Sequence, residues 1–79
     1  MALDLQGELN RVAGTDGLGE AGAANAWAGT DGLDVVGALN AKARADIDPW
    51  PEDQDLAGVC NALAGTTGLD APGALAAIP

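Results

Sequence analysis

Residues 18–33 read Leu-Gly-Glu-Ala-Gly-Ala-Ala-Asn-Ala-Trp-Ala-Gly-Thr-Asp-Gly-Leu, and this pattern recurs along the whole chain of 79 residues. Three residue types recur at intervals of fifteen: Leu3, Leu18 and Leu33; Gly7, Gly22 and Gly37; Asn10, Asn25 and Asn40. After a gap of twenty-one residues the pattern returns with Gly58 and Asn61, and fifteen residues later with Gly73. A fixed period of this kind indicates a repeat architecture.

The period divides the chain into repeat units. We predict a single helical-repeat domain, 1–79, with units 3–17, 18–32, 33–47, 54–68 and 69–79 and an insertion at 48–53. In the first unit, Leu5, Leu9 and Val12 have the spacing i, i+4, i+7 of one helical face. We therefore predict an all-α fold of five short helices, and the pattern permits either a compact bundle or a short solenoid. The chain ends where a fifth helix would end, so we expect no sixth unit.

Residues at the ends of each unit are typical of helix termini. Acidic residues that can cap the first helical turn follow the start of four units: Asp4, Asp34, Asp55 and Asp70. Glycines follow the last helical alanine of three units, where a left-handed residue ends a helix: Gly14, Gly29 and Gly65. Helices of about ten residues do not persist alone in water, so packing between units must hold them.

Two further positions recur inside the helices. The first is always glycine (Gly7, Gly22, Gly37, Gly58 and Gly73), and we interpret it as a point of close approach between helix backbones. The second is asparagine in four units (Asn10, Asn25, Asn40 and Asn61). An amide side chain both donates and accepts hydrogen bonds, so we predict that each Asn satisfies backbone groups of an adjacent turn.

Composition and charge exclude several function classes. Twelve acidic residues against three basic ones give a formal net charge of -9, and phosphate contacts need Lys or Arg, so we expect no nucleic-acid partner. No apolar run is long enough for a membrane span, and no secretory leader is recognisable. The chain has no His to activate Cys60, its only thiol, which we expect to be a buried apolar residue. We predict no enzyme activity, no metal and no cofactor.

The insertion departs from the repeat. The candidate partner-binding residues are Asp46, Asp48, Pro49, Trp50, Pro51, Glu52 and Asp53. Two prolines flanking Trp50 favour an extended path. Trp50 has two interpretations: it folds back to cover the end of a helix pair, or it anchors a partner in an extended arm. The acidic residues lack the central Gly and terminal Glu of a calcium loop, so we interpret them as solvated or facing a basic partner.

Two strings carry a resemblance to a known group of proteins. Residues 22–33, Gly-Ala-Ala-Asn-Ala-Trp-Ala-Gly-Thr-Asp-Gly-Leu, and residues 36–43, Val-Gly-Ala-Leu-Asn-Ala-Lys-Ala, resemble short helical repeats in virion-associated proteins of phages that infect actinobacteria. The resemblance covers nearly the whole chain, and the insertion around Trp50 departs from it. It implies a structural role in the virion without distinguishing head from tail.

The leading hypothesis is a phage virion structural protein, a small capsid decoration, cement or minor capsid protein. It would dock onto the major capsid protein or other virion proteins, with a homo-oligomer also open, and would be assembled in the bacterial host cytoplasm. One alternative is a tail or fibre-associated structural or adhesion module. Another is an acidic inhibitor or DNA mimic that binds a basic host protein, which the net charge of -9 favours.

Overall fold

The computed structural model describes residues 3–79, and over this range the chain contains helices, turns and no strand. The five helices are α1 Leu5–Ala13, α2 Glu20–Ala28, α3 Val35–Asp46, α4 Leu56–Ala64 and α5 Ala71–Ala76. One helix lies in each predicted unit. The predicted all-α fold with five short helices is therefore confirmed.

The predicted helix starts are confirmed, because four aspartates act as N-caps. The Oδ1 atom of Asp34 accepts a hydrogen bond of 2.7 Å from the backbone N–H of Gly37. The same bond joins Asp4 to Gly7, Asp55 to Gly58 and Asp70 to Gly73. Helix α2 begins after Gly19 and has no side-chain cap. Each cap satisfies a backbone donor that a helix start leaves without a partner.

The predicted helix ends are confirmed for three helices. Helix α2 ends at Gly29, whose φ of 74° is left-handed and whose N–H donates to the carbonyl of Asn25. Gly14 and Gly65 end α1 and α4 in the same conformation. Helix α3 lacks this glycine and runs to Asp46, for 12 residues against 9 in α1, α2 and α4. The insertion follows it without helical structure and contains a cis bond between Asp48 and Pro49.

The helices form a closed bundle. Each helix packs against the next along the chain, and α1 also packs against α5. A hydrogen bond joins the first and last helices, from Nη2 of Arg11 to the backbone carbonyl of Leu75 at 2.6 Å. An open solenoid would separate its first and last repeats. The molecule measures 33 × 28 × 19 Å, so the units surround one small core.

The core includes the predicted face of the helices and extends beyond it: Leu9 of that face is fully buried, and Leu5 and Leu63 pack against the core. The sixth and seventh residues of the units are fully buried in most helices: Leu9, Ala23, Ala24, Ala38, Leu39, Val59, Cys60, Ala74 and Leu75. Residues at the tenth position of a unit, such as Val12 and Leu63, are only half-buried. The buried face is wider than the predicted one because each helix packs against two other helices, and small alanines at the sixth position let them approach.

The interpretation of the helical glycines as points of close backbone approach was wrong. A β-carbon added at Gly37 would lie 2.9 Å from Oδ1 of Asp34, and at Gly73 2.7 Å from Oδ1 of Asp70. At Gly22, whose unit has no capping Asp, the nearest atom is Cβ of Leu18 at 3.6 Å. The absent β-carbon therefore leaves room for the capping carboxylate of the same unit, not for a neighbouring helix.

Candidate functional site

A buried asparagine connects each of the first four helices to the start of the following unit. In the second unit, Nδ2 of Asn25 donates to the carbonyl of Ala21 at 2.7 Å and to the carbonyl of Leu33 at 2.8 Å. Its Oδ1 accepts from the hydroxyl of Thr30 at 2.7 Å and from the N–H of Leu33 at 3.3 Å. One side chain thus fixes the helix, the turn and the first residue of the next unit.

We name this set of four hydrogen bonds the asparagine clamp, formed by Asn10, Asn25, Asn40 and Asn61. Asn10 and Asn61 form the clamp with Thr15 and Leu18, and with Thr66 and Leu69, respectively. The four asparagines are at most 9% exposed. Burying an amide is unfavourable unless its donors and acceptors are satisfied, which the clamp achieves. The predicted structural role of the asparagines is therefore confirmed.

The insertion rebuilds the clamp with different residues. Asn40 bonds the carbonyl of Gln54 at 2.9 Å and its N–H at 2.8 Å, fourteen residues along the chain instead of eight. Unit three has no threonine at the turn, and Nε1 of Trp50 donates to Oδ1 of Asn40 at 3.3 Å in place of the hydroxyl. The Trp50 ring is half-buried against the core. Of the two interpretations of Trp50, the structure favours folding back onto the bundle.

The acidic candidates around Trp50 divide into paired and unpaired groups. Asp46 ends α3 and pairs with Lys42 at 3.1 Å, while Asp53 pairs with Arg44 at 2.7 Å. The remaining candidates, Asp48, Pro49, Pro51 and Glu52, are exposed on the loop. The structure brings all seven candidates onto one edge of the bundle, between α3 and α4. Their binding of a partner stays a prediction.

All three basic side chains are engaged within the chain. Besides the pairs of Lys42 and Arg44, Nε of Arg11 pairs with Glu8 at 2.9 Å. The Lys42 ammonium also lies 5.3 Å from the ring centre of Trp27, which is half-buried against the core. Three of the twelve acidic residues are thereby paired, and the other nine form no ion pair within residues 3–79. The described surface therefore carries an excess of acidic charge.

Large apolar side chains are exposed at one recurrent position, the first of the unit. Leu3 is 50% exposed, Leu18 38%, Leu33 40% and Leu69 42%. We call these four residues the leucine row. In the sequence these leucines mark the period of the repeat, and the period alone predicts no role for them. A signal was present, because the fourth unit has the polar Gln54 at this position, which a core position would not tolerate.

The remaining features of the described residues offer little chemistry. Cys60 is fully buried, and burial raises the pKa of its thiol from 9.0 to about 11, which disfavours the nucleophilic thiolate. Its prediction as a buried apolar residue is confirmed.

No group of three or more potential metal ligands is found within residues 3–79. An open depression of about 450 Å³ at the start of α1 is lined by polar residues, among them Asp4, Arg11 and Asp16.

No helix in the described part of the chain is long and apolar enough to span a bilayer. No protein-family model, curated protein or solved structure matches the chain.

Proposed function

We propose that this chain is a phage virion structural protein, a small capsid decoration or cement protein that acts by docking onto other virion proteins. In this proposal it is a binding protein with no catalytic role. Its partner is the major capsid protein or another protein of the particle.

One observation carries the proposal: the polar and basic side chains are used to hold the fold together. All four asparagines and three of the four threonines form the clamps, and the three cations form internal ion pairs. The surface keeps nine carboxylates without an ion pair in the described residues and four exposed leucines, which suit contact with another protein. The strict repeat resembles repeats of phage virion proteins. This resemblance is the reason why we propose a phage particle as the place where the chain docks.

The size of the protein supports docking as a source of stability. The fully buried core contains only three leucines, one valine, one cysteine and small alanines. Small domains with thin cores are marginally stable, and binding of the folded state by a partner adds stability. A decoration protein of this kind would gain resistance to unfolding when it occupies its site on the particle.

Thermal unfolding and co-sedimentation test the proposal together. We would purify the chain, mix it with phage heads washed free of it at high salt, pellet the heads and measure the chain in the pellet. The proposal expects saturable co-sedimentation and a higher unfolding temperature of the bound chain. A chain that stays in the supernatant of both heads and tails would contradict it, and binding to tails alone would favour the tail or fibre alternative.

A second candidate, an acidic inhibitor or DNA mimic, is favoured by the nine carboxylates without an ion pair in the described residues. Four of the twelve acidic residues are committed to helix caps, however: Asp4, Asp34, Asp55 and Asp70. A mimic would compete with duplex DNA for a host DNA-binding protein, so a competition assay separates it from a decoration protein.

A further inference from the structure

The leucine row combines exposure with regular placement. Its four members occupy the same position of four units, and each is between 38% and 50% exposed. Val36, three residues after Leu33, is exposed to 36% and enlarges the apolar surface at the start of α3. Isolated apolar residues are normal on protein surfaces, but apolar groups repeated at one position of a structural unit call for a reason.

The repeat fold tolerates a polar side chain at the position of the row, because the fourth unit has Gln54 there. In units two to five, the preceding clamp contacts the first residue of the unit. It bonds the backbone N–H and carbonyl of that residue and leaves its side chain free of hydrogen bonds to the clamp. Asn40 makes both bonds to Gln54 at 2.8 and 2.9 Å, as Asn25 does to Leu33 at 3.3 and 2.8 Å. Gln54 is itself exposed. The fourth unit therefore demonstrates that a polar side chain satisfies the same structural position.

Each member of the row lies beside a carboxylate. Asp4, Asp34 and Asp70 directly follow Leu3, Leu33 and Leu69, and Glu20 lies two residues after Leu18. The carboxylates of the three aspartates remain exposed while they cap their helices. Since the three cations of the chain are paired with other acidic residues, each leucine of the row is an exposed apolar group next to an acidic residue without an ion pair. A second copy with a net charge of -9 would be repelled by these acidic residues.

We infer that the leucine row, with the carboxylates beside it, is the surface that docks onto the particle, and that its occupant is a basic protein surface with apolar recesses. This inference rests on the proposed function and names the docking surface. The leucine side chains would be buried in the recesses. The carboxylates would form ion pairs with Lys or Arg side chains of the partner around those recesses. The insertion, by contrast, has its aromatic side chain committed to the clamp of Asn40.

The test replaces leucines with the residue that the chain itself uses in the fourth unit. The variant is L18Q/L33Q/L69Q, and the matched control is A26Q/A45Q, which adds glutamines at exposed helical alanines outside the row and outside the insertion. Binding of each to salt-washed phage heads is measured by co-sedimentation at several NaCl concentrations. We expect the leucine variant to keep its helical circular dichroism and to bind at least about tenfold more weakly, a loss of roughly 1.4 kcal/mol. The alanine-to-glutamine control should bind within about threefold of the wild type, because exposed surface substitutions cost little.

Each other outcome decides against the inference in a distinguishable way. If the wild type binds and the leucine variant binds equally, the inference fails while the proposed function stands. If the leucine variant loses its helical structure, the side chains serve the fold and the inference fails. A wild-type dimer that the leucine variant abolishes, detected by sedimentation equilibrium, would make a second copy the occupant. If the wild type binds no heads, the proposed function fails and the inference falls with it.

Discussion

Nε1 of Trp50 lies 3.3 Å from Oδ1 of Asn40 and donates the hydrogen bond that threonine hydroxyls donate in the other three clamps. The insertion is therefore integrated into the repeat despite its length. Trp50 follows Asn40 by ten residues, whereas Thr30 follows Asn25 by five. The indole N–H of Trp50 therefore replaces the threonine hydroxyl across a longer stretch of chain. This relationship explains why the third unit tolerates the loss of its Gly-Thr-x-Gly turn.

Substitutions of Trp50 separate the hydrogen bond from the packing of the ring. We expect W50F to lower the free energy of unfolding by about 0.5–1.5 kcal/mol, because it removes the donor and keeps an aromatic ring. W50A should lower it further, because it also removes the half-buried ring. Urea unfolding followed by circular dichroism measures both values. Equal stability of wild type, W50F and W50A would contradict the assignment of Trp50 to the clamp.

Loss of a clamp should be much more damaging than loss of one of its bonds. We expect N25A to lower the free energy of unfolding by about 2–4 kcal/mol, since each backbone group of Leu33 left unsatisfied costs about 1–3 kcal/mol. T30V removes a single bond to Asn25 and should cost about 1 kcal/mol. Urea unfolding of the two variants under the same conditions provides the comparison. Similar losses for both would contradict the clamp as a unit.

Alanine substitutions at two helical glycines should differ in their effect. G22A should raise the free energy of unfolding by about 0.5–1 kcal/mol, since its β-carbon meets only an ordinary contact at 3.6 Å. G37A should gain less or destabilise, because its β-carbon would lie 2.9 Å from the capping oxygen of Asp34. Thermal unfolding of both variants tests the difference. An equal gain at both positions would show that the cap imposes no requirement for glycine.

Closure of the bundle depends in part on Arg11. R11M removes the guanidinium that donates to the carbonyl of Leu75, and we expect a loss of about 1.5–3 kcal/mol, as for a hydrogen bond to a charged group. R44M removes only the exposed pair with Asp53 and should cost less than about 1 kcal/mol. Chemical unfolding of the matched variants decides the point. A loss at Arg44 as large as that at Arg11 would contradict the closing role.

The stability of the folded chain should fall at alkaline pH through Cys60. Its pKa is raised from 9.0 to about 11 by burial, so the folded chain keeps the thiol proton that the unfolded chain releases. The stabilising effect is complete below the lower pKa and is lost as pH rises towards the higher one, by about 1.4 kcal/mol per pH unit at most. The difference in unfolding free energy between wild type and C60A, measured across this range, isolates the effect. A difference that does not change with pH would contradict the burial of the thiol.

The sequence predicted the features that depend on neighbouring residues. The Asp34 cap and the Gly29 terminus follow from local stereochemistry, and both were placed correctly. The contact between Arg11 and Leu75 joins residues 64 positions apart, and no periodicity within a unit predicts it. The exposure of Leu33 was missed for a related reason. Period alone does not tell whether a recurrent leucine faces the core or the solvent, and only the position of Gln54 indicated the answer.

The most direct test of the proposed function is protein identification by mass spectrometry in heads and tails separated from virions, for which the proposal requires a phage genome that encodes the chain. We expect the chain in purified heads, in a fixed ratio to the major capsid protein, and released from them by high salt. Its absence from both heads and tails, with the chain recovered only from the host cytoplasm, would contradict the assignment to the virion.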